Sequence, residues 1–182
     1  MPDIELAGSF IIGGMILLSI FSLNADIMET ATMNNLGTNA QKNVTAIVSI
    51  LDYDFRKMGY LVPSGTNAVT ALTDTTIAFL GDMDNNGSVD SVSYYLGPKS
   101  EPSGTENPND RYLYRKVNGT ANDVALGITS WTLTYYDISG SVTTAPANVR
   151  SIRISFTVET TIPFDTTYGS ARWEGRFTPK NL

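Results

Sequence analysis

Neither cysteine nor histidine occurs anywhere in the 182 residues. The first absence excludes disulfides, thiolate metal sites and cysteine nucleophiles together. The second removes the usual general base near neutral pH and the commonest transition-metal ligand, so Ser-His-Asp triads and His-bound zinc are excluded. Basic residues are few, 12 Lys and Arg against 18 Asp and Glu, giving a formal charge of −6. The electrostatic footprint of a nucleic-acid binder is missing, and no nucleic-acid partner is expected. Carboxylate-pair chemistry stays open, but no paired motif stands out, and the chain reads as a non-enzyme.

Proline is absent between residues 3 and 62, and charge is absent from residues 6–23. That uncharged run reaches the lower limit for crossing a bilayer at about 1.5 Å per residue. It fits a secretory signal poorly, because no Lys or Arg precedes it and no small-x-small cleavage pattern follows. A simple anchor usually has a positive flank, whereas this run is preceded by Asp3 and Glu5. A carboxylate beside an oil-like helix is costly unless a positive group meets it.

The helical pattern continues beyond Leu23 with a different character. Ala40, Val44, Ile47, Leu51, Phe55 and Met58 recur at three- and four-residue spacings, the stripe of an amphipathic helix. Asp52, Asp54, Arg56 and Lys57 are assigned mostly to the other face. Gly37 and Asn34-Asn35 are the weakest points, while Gly59 supplies a C-cap and Pro63 lies just beyond. The spacing predicts one helix over residues 4–58, roughly 80 Å long.

From Gly59 onward the signals are those of strands. Residues 75–80, 89–96, 111–117, 130–137, 149–159 and 171–178 are rich in β-branched and aromatic side chains, several with period two. Asn86-Gly87, Asn118-Gly119 and Ser139-Gly140 fall between them as turn steps. Short turns joining successive strands imply an antiparallel sheet, with the stripe at 40–58 covering one face. The expected fold is α+β: residues 1–27 an apolar helix, 28–58 its amphipathic continuation, and 59–182 a β-rich head. The polar segment 97–110 (GPKSEPSGTENPND) is expected to be an exposed loop.

This plan resembles type IV pilins and pseudopilins. The resemblance begins at Ile4-Glu5-Leu6, with glutamate fifth from Met1. It continues through Gly13-Gly14, the junction at 51–60 (LDYDFRKMGY), the segments 90–96 (DSVSYYL) and 113–119 (LYRKVNG), and the terminal FTPKNL. The junction is similar to the larger minor-pilin class. Ser22 stands where pilins usually carry proline. The resemblance implies that Glu5 pairs with a Met1 amine of the same or a neighbouring subunit, and that Gly8, Gly13 and Gly14 let helices approach closely. It implies identical subunits in a helical filament, residence in the inner membrane before assembly, and contact with pilus assembly machinery. The rival expectations are a membrane-anchored extracellular binding or adhesion module and a minor pseudopilin of a secretion system.

One further motif is Asp82-Met83-Asp84-Asn85-Asn86-Gly87-Ser88-Val89-Asp90. Asp82, Asp84, Asn86 and Asp90 hold relative positions 1, 3, 5 and 9, with glycine at 6 and the Ser88 carbonyl available at 7. That is the front of an EF-hand-like calcium loop. Ser93 stands where the bidentate glutamate should be. The competing reading is a hairpin turn with acidic decoration and no ion. Asn86 and Asn118 also fit the glycosylation sequon, a pattern that arises often by chance.

Overall fold

The computed structural model describes the backbone of residues 2–182 and side chains from Ala7 onward. Met1 and the Glu5 side chain, and with them the pairing expected there, lie outside the described residues.

Helix α1 runs without interruption over Pro2–Lys57, through Gly37 and the two asparagines before it. Its halves have opposite surroundings. Ala40, Val44, Ile47, Leu51, Phe55 and Met58, the stripe expected from spacing, are all buried. Twelve large apolar side chains between Phe10 and Met28 are exposed. Arg56 and Lys57 occupy the last turn, where cations oppose the helix dipole favourably. Gly59 then takes φ +81°, the left-handed conformation of a helix-ending cap.

The head contains eight strands in two antiparallel sheets, rather than one. The first sheet has the order β1 (Val69–Leu72), β2 (Ile77–Gly81), β3 (Asp90–Leu96), β4 (Tyr112–Val117) and β5 (Thr120–Leu126). The second comprises β6 (Ile128–Tyr136), β7 (Ser151–Glu159) and β8 (Ser170–Phe177). Every neighbouring pair is antiparallel, as short turns between consecutive strands require. Six strands match the expected segments within two residues at each end; β1 and β5 carry weak local signals and were not anticipated.

The chain passes between sheets at Gly127, whose φ is +94° and whose missing side chain admits the Glu159 carbonyl. The sheets are also tied where Leu133 N–H donates to the Asp74 carbonyl at 2.7 Å and the Tyr135 hydroxyl donates to Thr73 and Thr76 carbonyls. One core unites α1 with both sheets, centred on Phe55, Phe79, Tyr94 and Phe156. The helix packs chiefly on β8 and β7, where Phe55 and Phe177 meet with ring centroids 5.0 Å apart. Near Leu36, Gly169 brings the β7–β8 connection against the helix backbone.

Candidate functional sites at the two ends of the helix

The first candidate is the apolar half of α1. Its most hydrophobic 18-residue window has mean hydropathy 1.9, is wholly uncovered, and suffices in length and composition to cross a membrane. A helix apolar around its whole circumference is stable only inside lipid or among other helices. At Gly8, Gly13 and Gly14, leaving aside the adjacent residues and nearby helix backbone, no atom of the described residues lies within 4 Å of where a side chain would begin. Nothing in the subunit's own fold explains these three glycines by crowding. Ser19 donates to the Met15 carbonyl, satisfying its hydroxyl within the helix.

The second candidate lies where α1 ends. Gly81, at the end of β2, lets the chain graze the helix terminus: a Cβ there would stand 2.4 Å from the Lys57 carbonyl oxygen. Lys57 Nζ and the Tyr53 hydroxyl both donate to the Met83 carbonyl, and Lys57 also reaches Asn85 Oδ1 at 3.1 Å. Thus the helix end seats the 82–90 loop. Within it, carboxylate oxygens of Asp82, Asp84 and Asp90 come within 4.8 Å of one another. Asp82 and Asp90 are buried and Asp84 is exposed.

Donors of the loop, with Asn118 from the β4–β5 turn, satisfy these oxygens. Asp82 accepts N–H groups of Asn86 at 3.2 Å and Gly87 at 2.9 Å. Asp84 accepts both the backbone N–H and the side-chain amide of Asn86. Asp90 accepts from Met83 N–H and from the Asn118 amide. Burial pushes Asp82 upward, but donation from the backbone N–H groups of Gly87, Asn85 and Asn86 prevails and holds it below the ordinary carboxylate range.

The sequence-derived ligands therefore divide. Asp82, Asp84 and Asp90 converge, whereas Asn86 Oδ1 already accepts the Ser88 N–H at 2.8 Å. Ser93 is fixed mid-strand in β3, opposite Ala78 and Lys116. Three hard carboxylates suit calcium better than a softer metal, yet closing this loop requires no ion. Asn118 spends its amide on Asp90 and its carbonyl oxygen on Ser91 N–H, at φ +48°.

Two polar clusters were not anticipated. Asp54, assigned by its polarity to the outer face, is 1% exposed. It accepts Arg115 through both guanidinium Nε and a second nitrogen at 2.9 Å, and also accepts the Tyr94 hydroxyl. Burial, then the Asp54 charge and hydrogen bond, push Tyr94 well above the usual phenol range. The signal was its spacing: position 54 shares the inward row with Leu51, Phe55 and Met58.

The second correction concerns segment 97–110, which is not wholly exposed. Asn107 and Asp110 are buried, because the segment docks on the end of β7. Asn107 donates its amide to Glu159 Oε2 at 2.9 Å, Glu106 N–H donates to the Thr161 carbonyl, and Tyr168 hydroxyl donates to the Glu106 carbonyl.

The layout, one long apolar-to-amphipathic N-terminal helix on antiparallel sheet, is pilin-like. No protein-family model matches the chain, and no significant match to a curated protein was found.

Proposed function

We propose that this protein is a structural subunit of an extracellular, type IV pilus-like filament, held in the cytoplasmic membrane by its N-terminal helix before assembly. The observation that carries the reading is the divided helix. The inward row of residues 40–58 is buried against the head, while twelve large apolar side chains from Phe10 to Met28 stand exposed. Burial of each large apolar side chain contributes roughly 1.5–3 kcal/mol, so twelve of them favour lipid or neighbouring helices strongly.

Identical subunits meet both the apolar surface and the small residues. Open space at Gly8, Gly13 and Gly14 allows close backbone approach between helices. In this reading Glu5 recognises a Met1 amine, so correct register neutralises a carboxylate that lipid would penalise. The assembly machinery extracts the helix, and the head forms the outer surface. Calcium at Asp82, Asp84 and Asp90 is an accessory in this proposal, stiffening the hairpin outside the cell.

Electron microscopy of native material and Glu5→Ala tests it. Filaments are expected from the native chain and not from the variant. Normal filaments from Glu5→Ala would sink the pairing. A native chain that stays monomeric in the membrane would sink the filament and favour an anchored binding module. For the accessory, equal melting midpoints of the native chain in calcium and in chelator would retire the ion at 82–90.

A further inference from the structure

The seam between α1 and β8 has two unlike ends. Gly169 stands against Leu36 and Phe177 against Phe55, so β8 runs beside roughly 28 Å of helix. At the Leu36 end, residues 160–169 form a closed hairpin. Thr160 N–H donates to the Gly169 carbonyl at its base, and Phe164 and Thr167 exchange backbone hydrogen bonds at its tip. Asp165 takes φ +56° in the turn between them. The hairpin leaves Ile162 61% and Phe164 37% exposed, with Asp165 exposed at the apex. It is an apolar knob with one negative charge, shaped by its own hydrogen bonds.

At the other end, a groove of about 410 Å³ lies between the last turns of α1 and the chain's C-terminal segment. Buried Phe55 and Pro179 and half-buried Phe177 give it an apolar lining. Arg56, Arg176 and Lys180, all exposed, line it too, against a single carboxylate, Asp52. Arg56 pairs with Asp52 at 2.9 Å, and Arg176 is held by Ser151 Oγ and the Tyr136 ring. Lys180 enters no ion pair among the described residues. The groove is thus apolar and positive where the knob is apolar and negative.

We propose that the 160–169 hairpin of one subunit docks in this groove of a second copy. Ile162 and Phe164 meet Phe177 and Pro179, and the Asp165 carboxylate meets Lys180. The contact presupposes the proposed filament and adds to it a joint between heads. Knob and groove sit at opposite ends of the seam, so the joint is head-to-tail. Each docked subunit still offers one free knob or groove, which suits an open series rather than a closed pair. Lipid is the poorer occupant for the knob. Asp165 at its apex, and exposed Glu106 on the segment bound to Thr161 and Tyr168, would be penalised there.

The chain has no cysteine, so engineered pairs report the joint without background. Filaments of an Asp165→Cys, Lys180→Cys double variant are oxidised and separated under denaturing, non-reducing conditions. The same chain in detergent micelles serves as control. A ladder of covalent oligomers is expected from filaments, monomer alone from micelles, and no ladder from either single variant. If the native chain forms no filaments, the filament reading fails and the joint with it. Filaments that yield no ladder overturn the joint alone and leave the knob to lipid or solvent. An equal ladder from Asp165→Cys with Ser139→Cys, on the hairpin after β6, overturns it as well, because the crosslinking is then indiscriminate. If the cysteine pair blocks assembly, charge exchange decides. Lys180→Glu should cut filament yield at least about tenfold, and adding Asp165→Lys should restore it. Unchanged yield in the first variant, or no recovery in the second, rejects the joint.

Discussion

Asp54 links three elements through one side chain, because it faces inward from α1 and accepts donors from Tyr94 on β3 and Arg115 on β4. Removing it strands a guanidinium that is only 24% exposed. Asp54→Ala should therefore destabilise the head by about 3 kcal/mol, since an unpaired, partly buried charge remains. Tyr94→Phe should cost only about 1 kcal/mol, because the ion pair survives. Urea midpoints of the two variants, measured side by side, distinguish a charge network from simple packing. Equal losses would refute the difference. At Gly81 the limit is steric. The Cβ of Gly81→Ala would meet Lys57 backbone at 2.4 Å, so a loss of about 1–3 kcal/mol is expected from overpacking. The same substitution should loosen the 82–90 loop, visible as faster amide exchange at Asn86 and Gly87.

Among the elements, α1 was the most legible. The row 40, 44, 47, 51, 55, 58 announces its buried face, and every member is buried. Six strands were legible because β-branched and aromatic residues cluster between turn steps. β5 was not, since Thr-Ala-Asn-Asp-Val-Ala-Leu has neither alternation nor aromatics. It exists because Asn118 and Gly119, at φ +48° and +91°, turn the chain back on β4. Nor was the division into two sheets visible, as it depends on the crowding at Gly127. Of the candidate sites, the acid convergence at 82, 84 and 90 could be read from spacing. Asp110 could not, because its burial comes from docking on Glu159, far along the chain. The seam between α1 and β8 invites its own test. Phe55 touches rings of Phe79, Tyr94 and Phe177, so Phe55→Ala should cost about 3–5 kcal/mol. Amide exchange should accelerate across β8 first, before β3 and β4. Uniform acceleration would show that the seam does not open separately.

For the whole molecule, two acids make stability depend on pH in opposing directions. Burial first, with Glu159 adding and Thr105 opposing, raises Asp110 to about 6. The folded chain then binds more protons than the unfolded one between roughly pH 4 and 6, so this group makes stability fall as pH rises through that window. Asp110→Asn should flatten that slope and, in chelator above pH 6, melt higher than the native chain. Asp137 runs the other way. The Ser139 hydroxyl and the N–H of Ser141 lower it, so its contribution is present above its ordinary range and is lost as acid titrates it. Thermal melts in chelator across pH 3–8 separate the two, and an unchanged slope in Asp110→Asn would reject the assignment.

The unbroken helix from Pro2 to Lys57 also has a mechanical consequence. No glycine kink or proline uncouples its exposed half from the half welded to β7 and β8. In a filament of such subunits, the rotation of each helix in the core would fix the compass bearing of its head. Tension along the axis would reach the head as sliding of α1 against β8. Many side chains resist such sliding together, whereas peeling would break them one after another.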